Sequence, residues 1–153
     1  MQPLLQHEPV GLLIGVARRR IKQVVGRQLR DHRLSPQQFW VLVNLGECPD
    51  ISLSELAERL HMDDPTASRI VGALTERRLA RIQPHPTDRR RRRLGLTPAG
   101  AALARRVAPI ALEVRRAVEA GLTPRERDNL RSLLRRVIEN VERLDPGLEA
   151  AAR

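Results

Sequence analysis

Two short helical patterns joined by a tight turn, a run of five arginines (Arg89 to Arg93) just after them, and long amphipathic stripes near both ends predict a mainly α (α+β) fold. Its parts are a winged helix-turn-helix lobe with a small β-hairpin wing, plus N- and C-terminal helices forming a dimerisation lobe. The arginine run stands between an apolar segment, Leu79 to Ile82, and a helix start at Thr97-Pro98. Bracketed by ordered patterns, it reads as the tip of a hairpin held against something negative rather than as a solvated tail.

The elements follow in chain order. Residues 10 to 30 place Val10, Ile14, Ala17, Ile21, Val24 and Val25 at three- and four-residue spacing, an amphipathic helix. Ser35-Pro36-Gln37-Gln38 opens the second helix with a capping hydroxyl, a proline at the first helical position and a glutamine for a reciprocal capping box. Ser52-Leu53-Ser54-Glu55 is another such box without proline, and Leu53, Leu56, Ala57 and Leu60 give its short helix a buried face. His61-Met62-Asp63 makes the turn, with Asp63 or Asp64 capping the next helix. There Ala67, Ile70, Val71 and Leu74 repeat at core spacing and leave Thr66, Ser68 and Arg69 outward. Wing strands are expected at Leu79 to Gln83 and Arg92 to Leu96.

Two long helices follow. Residues 98 to 120 carry Leu103, Val107, Ile110, Val114 and Val118; residues 124 to 144, opened by Thr123-Pro124-Arg125-Glu126, carry Leu130, Leu133, Leu134, Val137, Ile138, Val141 and Leu144. The second stripe nearly fits an a/d seam, the pattern of helices that pack against partner helices. The expected organisation is an N-terminal dimerisation helix in residues 1–33, a winged helix-turn-helix DNA-binding lobe in 34–97 and C-terminal helices of the dimerisation lobe in 98–153. The dimerisation candidates are Ile14, Ile21, Leu130, Leu134, Val137, Val141 and Leu144.

Charge points to the partner. The chain carries a formal +10, which favours a polyanion because each neutralised phosphate releases a counterion. Residues 81 to 97 hold six arginines against Asp88, a net of +5, whereas residues 51 to 80 hold four cations against five acids. Half of the excess therefore sits in one hairpin. Genomic base composition can explain why Lys22 is the only lysine, but not that clustering.

A recognition helix presents its N-terminal residues to base edges, so Thr66, Ser68 and Arg69 are the expected readers, with Ser52 at the preceding helix start. Arg69 suits bidentate pairing with guanine, and Thr66 a thymine methyl or a phosphate. In the wing, Arg90 is expected in the minor groove, Arg89 and Arg91 near phosphates, and Asp88 orienting an arginine. The competing reading is a non-specific or architectural nucleic-acid-binding protein acting through charge alone.

Other classes find little support. No glycine-rich phosphate loop, nucleophile elbow or paired carboxylates suggest an enzyme. His7, His32, His61 and His85 form no pair at metal-ligand spacing, so neither metal nor cofactor is expected. The single Cys48 permits no intrachain disulfide. No apolar run approaches the roughly 20 residues of a membrane helix. The opening Met1-Gln2-Pro3-Leu4-Leu5 lacks a signal-peptide pattern, which makes a cytoplasmic, nucleoid-associated location the expectation.

Residues 34 to 100 resemble the multiple-antibiotic-resistance-regulator (MarR) family of winged-helix repressors. The matching runs are Leu34 to Phe39, Leu53 to Leu60, Thr66 to Val71 with Leu74, Asp88-Arg89-Arg90, and Leu96-Thr97-Pro98-Ala99-Gly100. The resemblance implies a homodimer with interlocked terminal helices, one winged helix per subunit and a double-stranded pseudo-palindromic DNA operator. It also implies release by a small-molecule effector or an oxidant, with family ligands seated between the dimerisation helices and the DNA-binding lobe. Trp40 is the pocket candidate there, and Phe39 follows core spacing with Leu42 and Val43. Two departures stand out: Arg78 replaces the glycine that usually closes the recognition helix, and residues 10 to 30 lack the cysteine of the oxidant-sensing branch.

Overall fold

The computed structural model describes residues 8–84 and 92–144. Asp88, Arg89, Arg90 and Arg91, for which DNA contacts are expected, lie outside the described residues, as do His7 and His85. The described elements are α1 (Val10–Gln28), a 3-10 turn (Arg30–His32), α2 (Pro36–Glu47), α3 (Leu53–Arg59), α4 (Asp64–Glu76), β1 (Ala80–Pro84), β2 (Arg92–Leu96), α5 (Pro98–Glu119) and α6 (Pro124–Leu144). This is a mainly helical winged helix-turn-helix architecture.

Local chemistry sets the helix starts. Ser35 and Gln38 exchange backbone-to-side-chain bonds of 3.1 Å each. Ser52 and Glu55 do the same at 3.2 and 2.7 Å, and Thr123 and Glu126 at 3.3 and 2.8 Å. At α4 the alternative left open by the sequence resolves to Asp63, whose carboxylate accepts the Thr66 N–H at 2.7 Å. Asp64 instead accepts the Ser54 hydroxyl at 3.2 Å, joining α3 to α4.

α2 is the centre of the core. Phe39, Val41, Leu42 and Leu45 are buried on it, and around them close Val25 and Leu29 from the end of α1, Leu56 from α3, Ile70, Val71 and Leu74 from α4, Leu94 from β2, and Ala104, Val107 and Val114 from α5. The β1–β2 hairpin is antiparallel, from Ala80 opposite Leu96 to Pro84 opposite Arg92. Its second strand is rooted in the α2–α3 loop: Leu94 donates to Ile51 O at 2.7 Å and accepts from Asp50 N–H at 3.0 Å.

α6 is different. No residue on it is buried, and Leu130, Leu133, Leu134, Ile138, Val141 and Leu144 all stand exposed. Its tie to α5 is ionic, with Glu119 meeting Arg127 at 3.3 Å and Arg131 at 2.9 Å. Partial desolvation raises the Glu119 pKa, but the two arginine bonds outweigh it and hold the carboxyl below its usual range. Solvent screens exposed pairs of this kind, so they orient α6 more than they hold it.

Candidate DNA-reading face and inter-helix cleft

α4 presents two faces. Ala67, Ile70, Val71 and Leu74 are buried, which turns Ser68 and Arg69 outward on its N-terminal half, where both are exposed. Thr66 sits differently. It is half-buried, and its hydroxyl donates to Asp63 Oδ2 at 2.9 Å while its N–H donates to Oδ1. These two bonds, backbone first, hold the Asp63 carboxyl below the usual carboxylate range, and the Arg69 charge adds to the effect. The Thr66 proton is thus spent on the helix cap.

Ser52 caps α3 and lines a surface recess of about 520 Å³ between the start of α3 and β2, together with Asp50, Ser54, Arg92 and Arg93. Wing strand β1 is exposed along Arg81 to Pro84, and Ile82 is 41% exposed. Ser68 and Arg69 lie on α4, Ser52 caps α3 just before it in the chain, and the wing strands follow it.

The C-terminal end of α4 closes on a left-handed residue. Arg78 has φ 55°, where a non-glycine side chain costs roughly 1–2 kcal/mol. Its N–H donates to Thr75 O at 2.8 Å and the Leu79 N–H to Leu74 O at 2.9 Å, so the carbonyls left free at a helix end are satisfied despite the missing glycine. The Thr97 hydroxyl donates to Arg78 O at 2.7 Å and accepts the Gly100 N–H at 3.0 Å. α5 approaches so closely here that a Cβ on Gly100 would lie 1.8 Å from Leu79 O.

A cleft of about 550 Å³ opens between α1, α2 and the end of α3 with its turn into α4, within the usual size range of small-molecule sites. Trp40 lines it with Arg18, Arg59, His61, Asp63 and Thr66 among its neighbours. Phe39 is fully buried beside Trp40, with ring centroids 4.8 Å apart. The sequence does not place Arg18, Arg59 or His61 in the cleft, because no spacing rule joins residues from separate elements. Arg18 on α1 follows the apolar stripe and reads from sequence only as a solvated cation.

Among the described residues, no group of three or more His, Cys, Asp or Glu could hold a metal ion, and no helix is long and apolar enough to cross a membrane. Cys48 is a half-buried free thiol that ends α2.

Residues 33–91 match the family model described as MarR family. The chain is 33% identical over 135 residues to the HTH-type transcriptional repressor NicR of Pseudomonas putida, covering 88% of this chain and 85% of that protein. Among solved structures it is similar to BpsR of Bordetella bronchiseptica, solved to explain regulation of DNA binding by 6-hydroxynicotinic acid. That match has TM-score 0.75 and 30% identity, and covers 88% of this chain and 96% of BpsR. A mutant MarR from E. coli complexed with operator DNA matches with TM-score 0.71 and 25% identity over 84% of this chain and 93% of that one.

Proposed function

The chain belongs to the MarR family of transcriptional regulators, and we propose that it is a repressor that binds a pseudo-palindromic operator as a homodimer and is released by a small molecule. The observation that carries this is the outward pairing of Ser68 and Arg69 at the N-terminal half of α4, beside a hairpin whose sequence holds half of the chain's excess charge. Arg69 reads a base edge, Ser68 and Ser52 meet the backbone, and Arg90 enters the minor groove with Arg89 and Arg91 at phosphates and Asp88 orienting them.

Two-fold pairing uses residues 1–33 and 98–153, through Ile14, Ile21, Leu130, Leu134, Val137, Val141 and Leu144, and leaves residues 34–97 free to engage DNA. The exposed stripe of α6 supports this division. The site of action is the cytoplasm, on the nucleoid.

The effector is a planar aromatic acid held in the cleft, stacked on Trp40 with its carboxylate toward Arg18 or Arg59. The likeness to BpsR, whose DNA binding 6-hydroxynicotinic acid regulates, supports that class. The test is selection of genomic fragments by the purified protein at physiological salt, followed by release with 6-hydroxynicotinic acid. One pseudo-palindrome with half-sites about 10 base pairs apart is expected; indiscriminate recovery would overturn the operator reading. Trp40 is the only tryptophan, so quenching of its emission reports effector binding separately from release.

A further inference from the structure

The reading helix has two ends with different attachments. Its N-terminal end is tied within the helix-turn-helix, through Asp63 to Thr66 and through Ser54 to Asp64. Its C-terminal end reaches out of that unit. The Arg77 guanidinium donates to Arg33 O at 2.9 Å and, through the same nitrogen, to Gln38 Oε1 at 3.4 Å. Arg33 lies 44 residues away in sequence.

The acceptors occupy a particular place. Arg33 is a left-handed residue, φ 52°, that closes the 3-10 turn at the end of α1 just before Ser35 caps α2. Gln38 Oε1 is the same atom that accepts the Ser35 N–H in the α2 capping box. The side chain that caps the C-terminal end of α4 thus grips the junction where the N-terminal helix turns into the DNA-reading lobe. Arg77 is eight residues beyond Arg69, about 12 Å along the helix axis, so it stands well away from the end that reads bases.

We propose that Arg77 is a positioning residue for operator recognition: it fixes the tilt of α4 relative to α1 and thereby sets the half-site spacing that the dimer accepts. This rests on the two-half-site reading above. In a dimer paired through α1, a change in the angle between α1 and α4 is doubled across the two-fold axis, so a loosened junction broadens the accepted spacings before it touches base identity. A single guanidinium nitrogen reaches both acceptors, its two N–H directions fixed by the planar group, whereas a lysine ammonium carries the same charge without those fixed directions.

The experiment compares wild type, Arg77→Lys and Arg77→Ala on the selected operator and on versions with one base pair inserted or deleted between half-sites, with salt dependence and Tm measured in parallel. The expected result is that both variants bind the native spacing about tenfold more weakly and lose less on the altered spacings, with the salt slope unchanged. Arg77→Lys keeps the charge and a long side chain, so it keeps the comparison open should Arg77→Ala unfold. Wild-type behaviour of Arg77→Lys, with Arg77→Ala lowering the salt slope by about one, would make Arg77 a phosphate contact and overturn the proposal. Unchanged spacing preference in both variants would overturn it as well. A wild type indifferent to spacing would instead sink the two-half-site reading itself.

Discussion

The carboxylate of Asp63 accepts both the backbone N–H of Thr66, at 2.7 Å, and its hydroxyl, at 2.9 Å. Both bonds are stronger to the ionised acid, and together they hold the Asp63 pKa below its usual range. A carboxyl depressed in the folded state adds stability above its unfolded pKa, near 4, and that stability is lost as pH falls through the folded value. Tm is therefore expected to hold level down to about pH 4 and fall below it. Asp63→Asn should flatten that fall; superimposable pH curves would remove the role assigned to this cap.

Arg69 is exposed beside Ser68 on the first turns of α4. Arg69→Ala is expected to cost about 1–3 kcal/mol on the preferred operator and to relax selection at one base position. Titration against single-base operator variants checks it. A uniform loss across all of them would assign Arg69 to the phosphates instead.

Two glycines make opposite predictions. A methyl on Gly100 would meet Leu79 O at 1.8 Å, so Gly100→Ala forces the backbone just before β1 away from α5 and should cost at least about 2 kcal/mol in urea unfolding. Gly72, within α4, has nothing within 4 Å of the same position. Gly72→Ala should therefore stabilise by about 0.5–1 kcal/mol, the helix penalty of glycine.

Arg78 holds φ 55° with its side chain exposed and its main chain bonded. Glycine relieves about 1–2 kcal/mol of left-handed strain and returns about 0.5–1 kcal/mol of unfolded-state freedom. Arg78→Gly should gain about 0.5 kcal/mol on that balance. A loss in thermal unfolding would mean that the side chain contributes more than its backbone costs.

Charged residues at Leu134 and Val141, 37% and 48% exposed on α6, should give monomers in sedimentation. Their operator affinity should fall to the non-specific level, about 10³-fold or more weaker. Dimers that persist with full affinity would place the pairing surface elsewhere.

What the sequence makes legible is what local chemistry decides. Ser35, Ser52, Thr97 and Thr123 mark helix starts because a hydroxyl or a third-position Glu or Gln satisfies free N–H groups nearby, and a proline removes one of them. The a/d stripe of α6 is legible for a similar reason, since its periodicity outlasts any single contact. The choice between Asp63 and Asp64 needs the structure, because either carboxylate suits a cap until Ser54 claims one of them. Thr66 looks outward by periodicity alone, and only its bond to Asp63 shows where its hydroxyl is spent. Arg18, His61 and Trp40 meet across three elements, and Arg77 meets Arg33 across 44 residues. No window of sequence spans such pairings.

The junction of Thr97 and Gly100 with Arg78 and Leu79 bears on how far this protein can be taken apart. Both carbonyls at the exit of the reading helix find their donors on Thr97, past the entire wing. A fragment ending at residue 78 would keep every side chain of the helix-turn-helix and still fray at that exit. The motif is thus no transplantable cassette. Grafting it onto another scaffold requires carrying the hairpin and the first turn of α5 with it.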